Sequence, residues 1–291
     1  MQLPDDYPLV TVAQLHQALS GTSSLCLLDA RSDPADGSAP GRGRRQWAEG
    51  HLPGAWHADL DTDLSDHTRP GEGRHPLPDD TRFAATLGRW GIGPDVPVVV
   101  YDASDGSLAA ARAWWMLHLI GHRQVWVLDG GLDAWVAAGL PLCVAEPVAK
   151  PCPPYPGRFD DSRLLDVDAL AAQVATGDVR LVDARSSARF AGHVEPIDPV
   201  AGHVPGAVNL PYTDMVCNGQ LLPAAQLRER ISAVLGTDGV AGYAVMCGSG
   251  VTACHLLLSM ACAGLDGARL YAGSWSGWIT DPSRPVAGEP G

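Results

Sequence analysis

Clustered positive charge is missing from this sequence. The longest Lys/Arg run is Arg44-Arg45, and the formal net charge is -13. Nucleic acids and anionic membrane surfaces are bound by basic faces, so neither is expected as a partner. Any small anion would have to be drawn in by local cations against a repulsive overall field. The start, Met1-Gln2-Leu3-Pro4-Asp5-Asp6, is acidic and has no apolar run, so it is not read as a secretory signal. No segment reaches the roughly 18 apolar residues that span a bilayer. A disulfide framework is also missing: the seven cysteines are an odd number scattered over 291 residues. That pattern suits free thiols in a reducing compartment, and the expected location is cytoplasmic.

What the sequence does contain is itself, twice. Leu27-Leu28-Asp29-Ala30-Arg31 recurs as Leu181-Val182-Asp183-Ala184-Arg185, and Gly50-His51-Leu52-Pro53-Gly54-Ala55 recurs as Gly202-His203-Val204-Pro205-Gly206-Ala207. Val98-Val99-Val100-Tyr101-Asp102 matches Tyr243-Ala244-Val245-Met246-Cys247. Leu128-Asp129-Gly130-Gly131, with Trp135, matches Tyr271-Ala272-Gly273-Ser274, with Trp278. The order is kept while the offset drifts from 154 (Leu27 to Leu181) to 143 (Leu128 to Tyr271), as expected for two copies of one domain with loop insertions.

Each copy opens with a helical stretch, residues 11–19 and 166–175, with Thr11 and Asp166 as candidate N-caps. Buried strands follow, ending at the Asp-Ala-Arg motifs and at Asp102 or Cys247. Helices over 108–120 and 251–263 close at Gly121 and Gly264, and a further strand covers 124–128 or 268–271. Alternating strands and helices imply α/β layers with parallel pairing, and ligands beyond the carboxyl ends of the strands. The expected domains are 1–143, with Asp102 at the position of Cys247, and 161–291. A Pro-rich linker joins them over 144–160, too rich in proline to be helical.

The most informative segment is Cys247-Gly248-Ser249-Gly250-Val251-Thr252, between a strand and a helix. Two glycines let the backbone curl so that N–H groups gather around the sulfur. The helix that follows adds about half a positive charge at its N-terminus, and both effects favour thiolate over thiol. A purely structural core cysteine has no need of such a turn. Asp102 cannot attack sulfur, and its carboxylate is expected to bond its own loop.

Together, the two Asp-Ala-Arg motifs, the two His-x-Pro-Gly-Ala motifs, Tyr101-Asp102-Ala103-Ser104 and Gly273-Ser274-Trp275 resemble the rhodanese superfamily. They are most similar to its tandem-domain 3-mercaptopyruvate and thiosulfate sulfurtransferases. The resemblance implies two rhodanese-like domains, each a mainly parallel central sheet flanked by helices. It implies ping-pong transfer of sulfur through a Cys247 persulfide, with a small anionic sulfur donor. The acceptor would be a thiol, a thioredoxin-like protein or cyanide. No metal and no organic cofactor is expected. The loop composition resembles the mercaptopyruvate enzymes, since thiosulfate enzymes place basic residues where this chain has Gly248 and Ser249. A Ser-His-Asp relay is implied for Ser249, His75 and Asp61; the last two come from the first copy, which would put the active site between the domains. Arg189 is implied to grip the donor carboxylate, with Gly248, Gly250, Val251 and Thr252 around the donor. A second family arginine has no clear equivalent in Gly192-His193-Val194-Glu195-Pro196-Ile197-Asp198, where His193 is the available substitute. An aromatic residue found beside the pocket in some family members is replaced by Leu108 and Ala109.

Other readings compete. A cysteine phosphatase also cradles a cysteine before a helix, but its pattern needs an arginine where this chain has Ala253. A non-catalytic sulfur-carrier or regulatory module is the third. His118 and His122 have metal-like spacing, but Gly121 should end the helix between them and no third ligand is evident. Arg31 and Arg185 are expected as internal ion-pair partners, Cys26, Cys254 and Cys262 as core residues, and Trp275 as core bordering the pocket.

Overall fold

The computed structural model describes residues 3–4, 7–21, 25–32, 39–107, 109–148 and 150–288. Most of the acidic start (Met1, Gln2, Asp5, Asp6) and Leu108 lie outside the described residues. The chain forms two compact units, one of Met1–Asp66, Pro78–Asp160 and Asn218–Leu221, the other of His67–Leu77, Asp161–Cys217 and Leu222–Gly291. The Pro-rich stretch up to residue 160 therefore goes with the first unit, and residues 67–77, taken from the first repeat, go with the second.

In the first unit the elements run β1 (Leu9–Val10), α1 (Val12–Leu19), β2 (Cys26–Asp29), α2 (Arg42–Glu49), β3 (Ala55–His57), α3 (Asp80–Arg89), β4 (Val98–Tyr101), α4 (Ala110–Leu119), β5 (Val125–Leu128) and α5 (Gly131–Ala137). The sheet order is β1-β5-β4-β2-β3, with every neighbouring pair parallel. β4 is buried along its whole length, as a continuous apolar run covered on both faces must be. Thr11 caps α1 through a capping box with Gln14.

The second unit runs α6 (Val167–Thr176), β6 (Arg180–Asp183), α7 (Ser187–Ala191), β7 (Val208–Asn209), β8 (Val216–Cys217), β9 (Gln220–Leu221, in the segment that goes with the first unit), α8 (Ala224–Leu235), β10 (Tyr243–Met246), α9 (Thr252–Cys262), β11 (Arg269–Leu270) and α10 (Ser274–Trp278). Its sheet has the order β11-β10-β6-β7, again parallel throughout. The counterpart of β1 shrinks to a single parallel bridge between Leu164 and Leu270. Asp166 caps α6 by accepting the Ala169 N–H. Leu181, Ala244, Met246, Tyr271 and Trp278 join the core between the sheet and its helices. Among the described residues, no helix is long and apolar enough to cross a membrane.

The repeated motifs are the frame. Asp29 takes both Nε and Nη2 of Arg31, and Arg31 also donates to the Gly50 carbonyl. Asp183, Arg185 and the Gly202 carbonyl repeat this arrangement. Each arginine thus ties the end of a strand to the start of its His-x-Pro-Gly-Ala turn. The motif histidines are framing residues as well: His51 stacks on Trp47 and His203 on Phe190, each with Nδ1 2.7 Å from its aromatic partner's carbonyl oxygen. Because Arg185 has a side chain only 1% exposed, removing Asp183 takes away its bidentate partner and leaves the buried charge only the longer ionic contact to Glu195 at 3.4 Å. We expect Asp183→Ala to cost about 3–5 kcal/mol of stability, measured by urea unfolding, whereas a loss below about 1 kcal/mol would contradict the framing role.

Candidate active site

β10 ends at Met246, and the chain then turns through Cys247-Gly248-Ser249-Gly250 into α9. Cys247 is buried, and its Sγ accepts the N–H of Gly250 at 3.1 Å. Gly250 has φ +79°, and a Cβ there would lie 2.4 Å from the Ala272 carbonyl oxygen, so only glycine fits. The turn is fixed by the segment that opens α10. The Cys247 N–H donates to Ser274 Oγ (3.0 Å), and the carbonyls of Cys247 and Gly248 accept the N–H groups of Trp275 and Ser276. Ser274 holds φ +54° although it is not a glycine. Its counterpart in the first repeat is Gly131, at φ +53°. A serine in this left-handed conformation is strained, and what it gains is the hydroxyl under Cys247.

His75 lies in the same unit. Its Nδ1 is 2.9 Å from Ser249 Oγ, so this expected pair is in hydrogen-bond contact. Gly73 precedes it at φ +94°, where a Cβ would sit 2.5 Å from the Gly273 carbonyl oxygen, and the Arg74 N–H donates to Ser276 Oγ. Asp61 belongs to the first unit, exposed on a turn where its N–H donates to Asp59 Oδ1. Val251 is buried and ends the turn, and Thr252 is the first residue of α9.

Arg189, on α7, reaches the turn but is already held. It donates to both carboxylate oxygens of Glu195 (3.1 and 2.6 Å) and to Asp198 Oδ2 (3.1 Å). Asp198 also pairs with Arg74. A Cβ placed on Gly248 would be 3.0 Å from Arg74 Nη2 and 3.4 Å from Arg189 Nη1, so glycine at 248 leaves room for two guanidiniums. His193 is exposed, and its N–H turns back to the Ala188 carbonyl. Burial alone would raise the Glu195 carboxyl; the hydrogen bonds from Arg189 and from the Asp198 and Ile197 amides overcome it and hold the carboxyl below its ordinary value. Burial raises the Asp198 carboxyl from its ordinary value against the pull of Arg74.

Sequence reasoning missed Arg74, Glu195, Asp198 and Ser274 as parts of this site. The signals were present: Arg74 directly precedes His75, and Ser274 replaces the first repeat's glycine. Trp275 is fully buried core, its indole N–H on the Val200 carbonyl. Cys254 and Cys262 are buried on α9, and burial pushes the Cys26 thiol up to about 12, so it stays protonated. His118 packs against Trp114, while His122 bonds Tyr155 and the Gln124 carbonyl. In the first unit Asp102 Oδ1 accepts the N–H groups of Ser104 and Gly106, bonding its own loop as expected.

The rhodanese-like domain family matches residues 11–138 and 166–281, and the chain belongs to that family. It is 49% identical over 282 residues to a Pseudomonas aeruginosa protein carrying the provisional name 3-mercaptopyruvate sulfurtransferase, covering 96% of this chain and 97% of the relative. A Mycobacterium tuberculosis protein with the provisional name thiosulfate sulfurtransferase is 40% identical, with 96% of each chain covered. The solved 3-mercaptopyruvate sulfurtransferase of Leishmania major superposes with a TM-score of 0.85 at 30% identity, covering 97% of this chain and 77% of that one.

Two tests follow from the geometry. Ser274→Ala leaves the buried Cys247 N–H without its acceptor, and should cost about 1–3 kcal/mol in thermal or urea unfolding; an unchanged midpoint would refute the role given to the hydroxyl. Glu195, with its lowered folded value, contributes stability that is fully present above the ordinary carboxylate value of about 4.3 and is lost as pH falls through the lower one. Glu195→Gln should therefore flatten the acid limb of the stability curve below about pH 4.3, read from unfolding free energies across pH.

Proposed function

We propose that this rhodanese-family sulfurtransferase takes its sulfur from 3-mercaptopyruvate, carries it as a Cys247 persulfide, and delivers it to a thiol acceptor. The observation that carries the reading is the Gly250 N–H on Cys247 Sγ at the start of α9, beside the Ser249–His75 hydrogen bond. The amide and the helix N-terminus favour negative charge on sulfur, both before and after the outer sulfur is added.

The Cys247 thiolate attacks the donor's sulfur, the donor's C–S bond breaks, and the electron pair stays on carbon as the enolate of pyruvate. The proton carried by the donor's thiol ends on that carbon, and pyruvate leaves. Ser249 and His75 are placed to move it: neutral His75, with Nδ1 unprotonated, accepts from the serine hydroxyl and passes charge as the substrate changes. Asp61 keeps the third place in the relay that the family resemblance implies. A thiol, a thioredoxin-like protein or cyanide then removes the outer sulfur and regenerates the thiolate. In this reading the first unit carries no sulfur, because Asp102 stands where the nucleophile would be. None of the seven cysteines is joined in a disulfide, which supports a reducing compartment, and we propose a cytoplasmic location.

Thiosulfate is the second donor to weigh, because two guanidiniums flank a turn that is itself neutral. The ratio of kcat/KM for the two donors decides between them, and mercaptopyruvate is expected to win. Donor treatment should add one sulfur, about 32 Da, to the Cys247 peptide by mass spectrometry, and Cys247→Ser should abolish both the mass gain and turnover. Wild-type turnover by Cys247→Ser would end the proposal.

A further inference from the structure

His51, in the first unit, has one ring nitrogen more than its framing role uses. Its Nδ1 lies 2.7 Å from the Trp47 carbonyl oxygen, which can only accept, so in the neutral ring Nδ1 carries the proton and Nε2 keeps a lone pair. Nε2 has two neighbours. The Ala145 carbonyl oxygen, at 3.2 Å, has no proton to give it. Cys143 Sγ, at 3.4 Å, has one. The same carbonyl is 3.8 Å from Sγ, so the imidazole is the nearer acceptor for the thiol proton. The ring is fully buried and stacked on Trp47, centroids 4.3 Å and planes 7° apart, which fixes where Nε2 points. An antiparallel backbone bridge between His51 and Cys143, with N–H to oxygen distances of 3.0 and 2.9 Å, fixes the sulfur from its own side.

The second copy shows how much of this is frame. His203 repeats the stack and the Nδ1 contact, and it bridges its own unit's late segment in the same antiparallel way. The bridged residue there is Ala287, so the frame is complete without sulfur and the thiol is peculiar to the first copy. Cys143 is half-buried between exposed Leu142 and Val144, whereas Cys26, Cys254 and Cys262 are buried. We propose that Cys143, with His51 as its base, is a thiol–disulfide exchange site that takes low-molecular-weight disulfides. The thiol proton moves to His51 Nε2, where the new N–H has the Ala145 carbonyl as an acceptor. The sulfur attacks one sulfur of the disulfide, the disulfide's S–S bond breaks, and its other half leaves as a thiolate that takes the proton from Nε2. One thiol and one disulfide stand on each side of the reaction, so no further oxidant is consumed. A reducing compartment drives the same steps backward, which makes the modification transient. None of this depends on which donor loads Cys247.

The test exposes the full chain to oxidised glutathione near neutral pH and follows each cysteine by peptide mass spectrometry after acid quenching. Exposed Cys217 and half-buried Cys152 are internal controls, and the peptide-level readout keeps Cys247 apart. Cys143 is expected to gain glutathione at least about tenfold faster than either control, and a reducing thiol should remove it. His51→Asn keeps an N–H for the Trp47 carbonyl but removes the base, and should bring the Cys143 rate down to that of Cys217. Cys143→Ala, matching Ala287 of the second copy, should leave the unfolding midpoint and mercaptopyruvate turnover unchanged. A wild-type Cys143 no faster than Cys217 overturns the proposal whether or not His51→Asn folds. An undiminished Cys143 rate in folded His51→Asn overturns it too, as does a Cys143→Ala chain that loses its fold, which would make the thiol a packing group.

Discussion

The site depends on how the backbone of the cysteine turn is clamped to the segment that opens α10. A sulfur collects amide N–H groups only if the turn is held tightly curled, and a four-residue turn has little to hold itself with. Ser274 Oγ beneath the Cys247 N–H, and the Trp275 and Ser276 amides on the carbonyls of Cys247 and Gly248, provide the hold. The rest is arranged around that clamp. Gly250 lets the chain pass close over Ala272, and Gly73 lets the 67–77 segment reach Gly273. Ser276 serves two partners, one on the cysteine turn and one on the segment that bears Arg74 and His75. Nucleophile, relay and cation thus share one scaffold, and strain at Ser274 is tolerated because so many bonds determine its position.

Much of this was legible in the residues, because repetition separates frame from function. Motifs that occur twice, Asp-Ala-Arg and His-x-Pro-Gly-Ala, turned out to be framing: buried ion pairs, stacked histidines and strand ends. The position that differs between the copies, Asp102 against Cys247, marked the chemistry. Thr11 and Asp166 were readable as caps because capping is a local interaction with a local signature. Ser249 and His75 were both singled out, and joined across 174 positions, only through the family resemblance.

What escaped was non-local. Composition describes the cysteine turn as neutral, and the expectation that it suits a singly charged donor came from that neutrality. The folded site is not free of charge, since guanidiniums from residues 74 and 189, paired with Asp198 and Glu195, converge on the space that Gly248 leaves empty. A glycine therefore had two meanings that sequence cannot separate: conformational freedom at Gly250, and room for other side chains at Gly248. The assignment of residues 67–77 escaped for the same reason. Sequence order puts them in the first repeat, while Gly73, Arg74 and Thr280 bind them into the second unit.

Both copies share one device, a carboxylate tied by its own chain beside groups that would otherwise take a free anion. A tethered group competes at an effective concentration far above that of most solutes. In the first copy Asp102 Oδ1 takes two of its own loop's amides, those of Ser104 and Gly106, so a small anion would have to displace it there. In the second, Asp198 is paired with both guanidiniums beside the cysteine turn, so an arriving anion would have to share them. Sharing weakens the hold on every visiting carboxylate, the spent one included. A two-stage exchange, in which the first product must vacate before the acceptor can reach the loaded sulfur, gains more from such restraint than from tight binding.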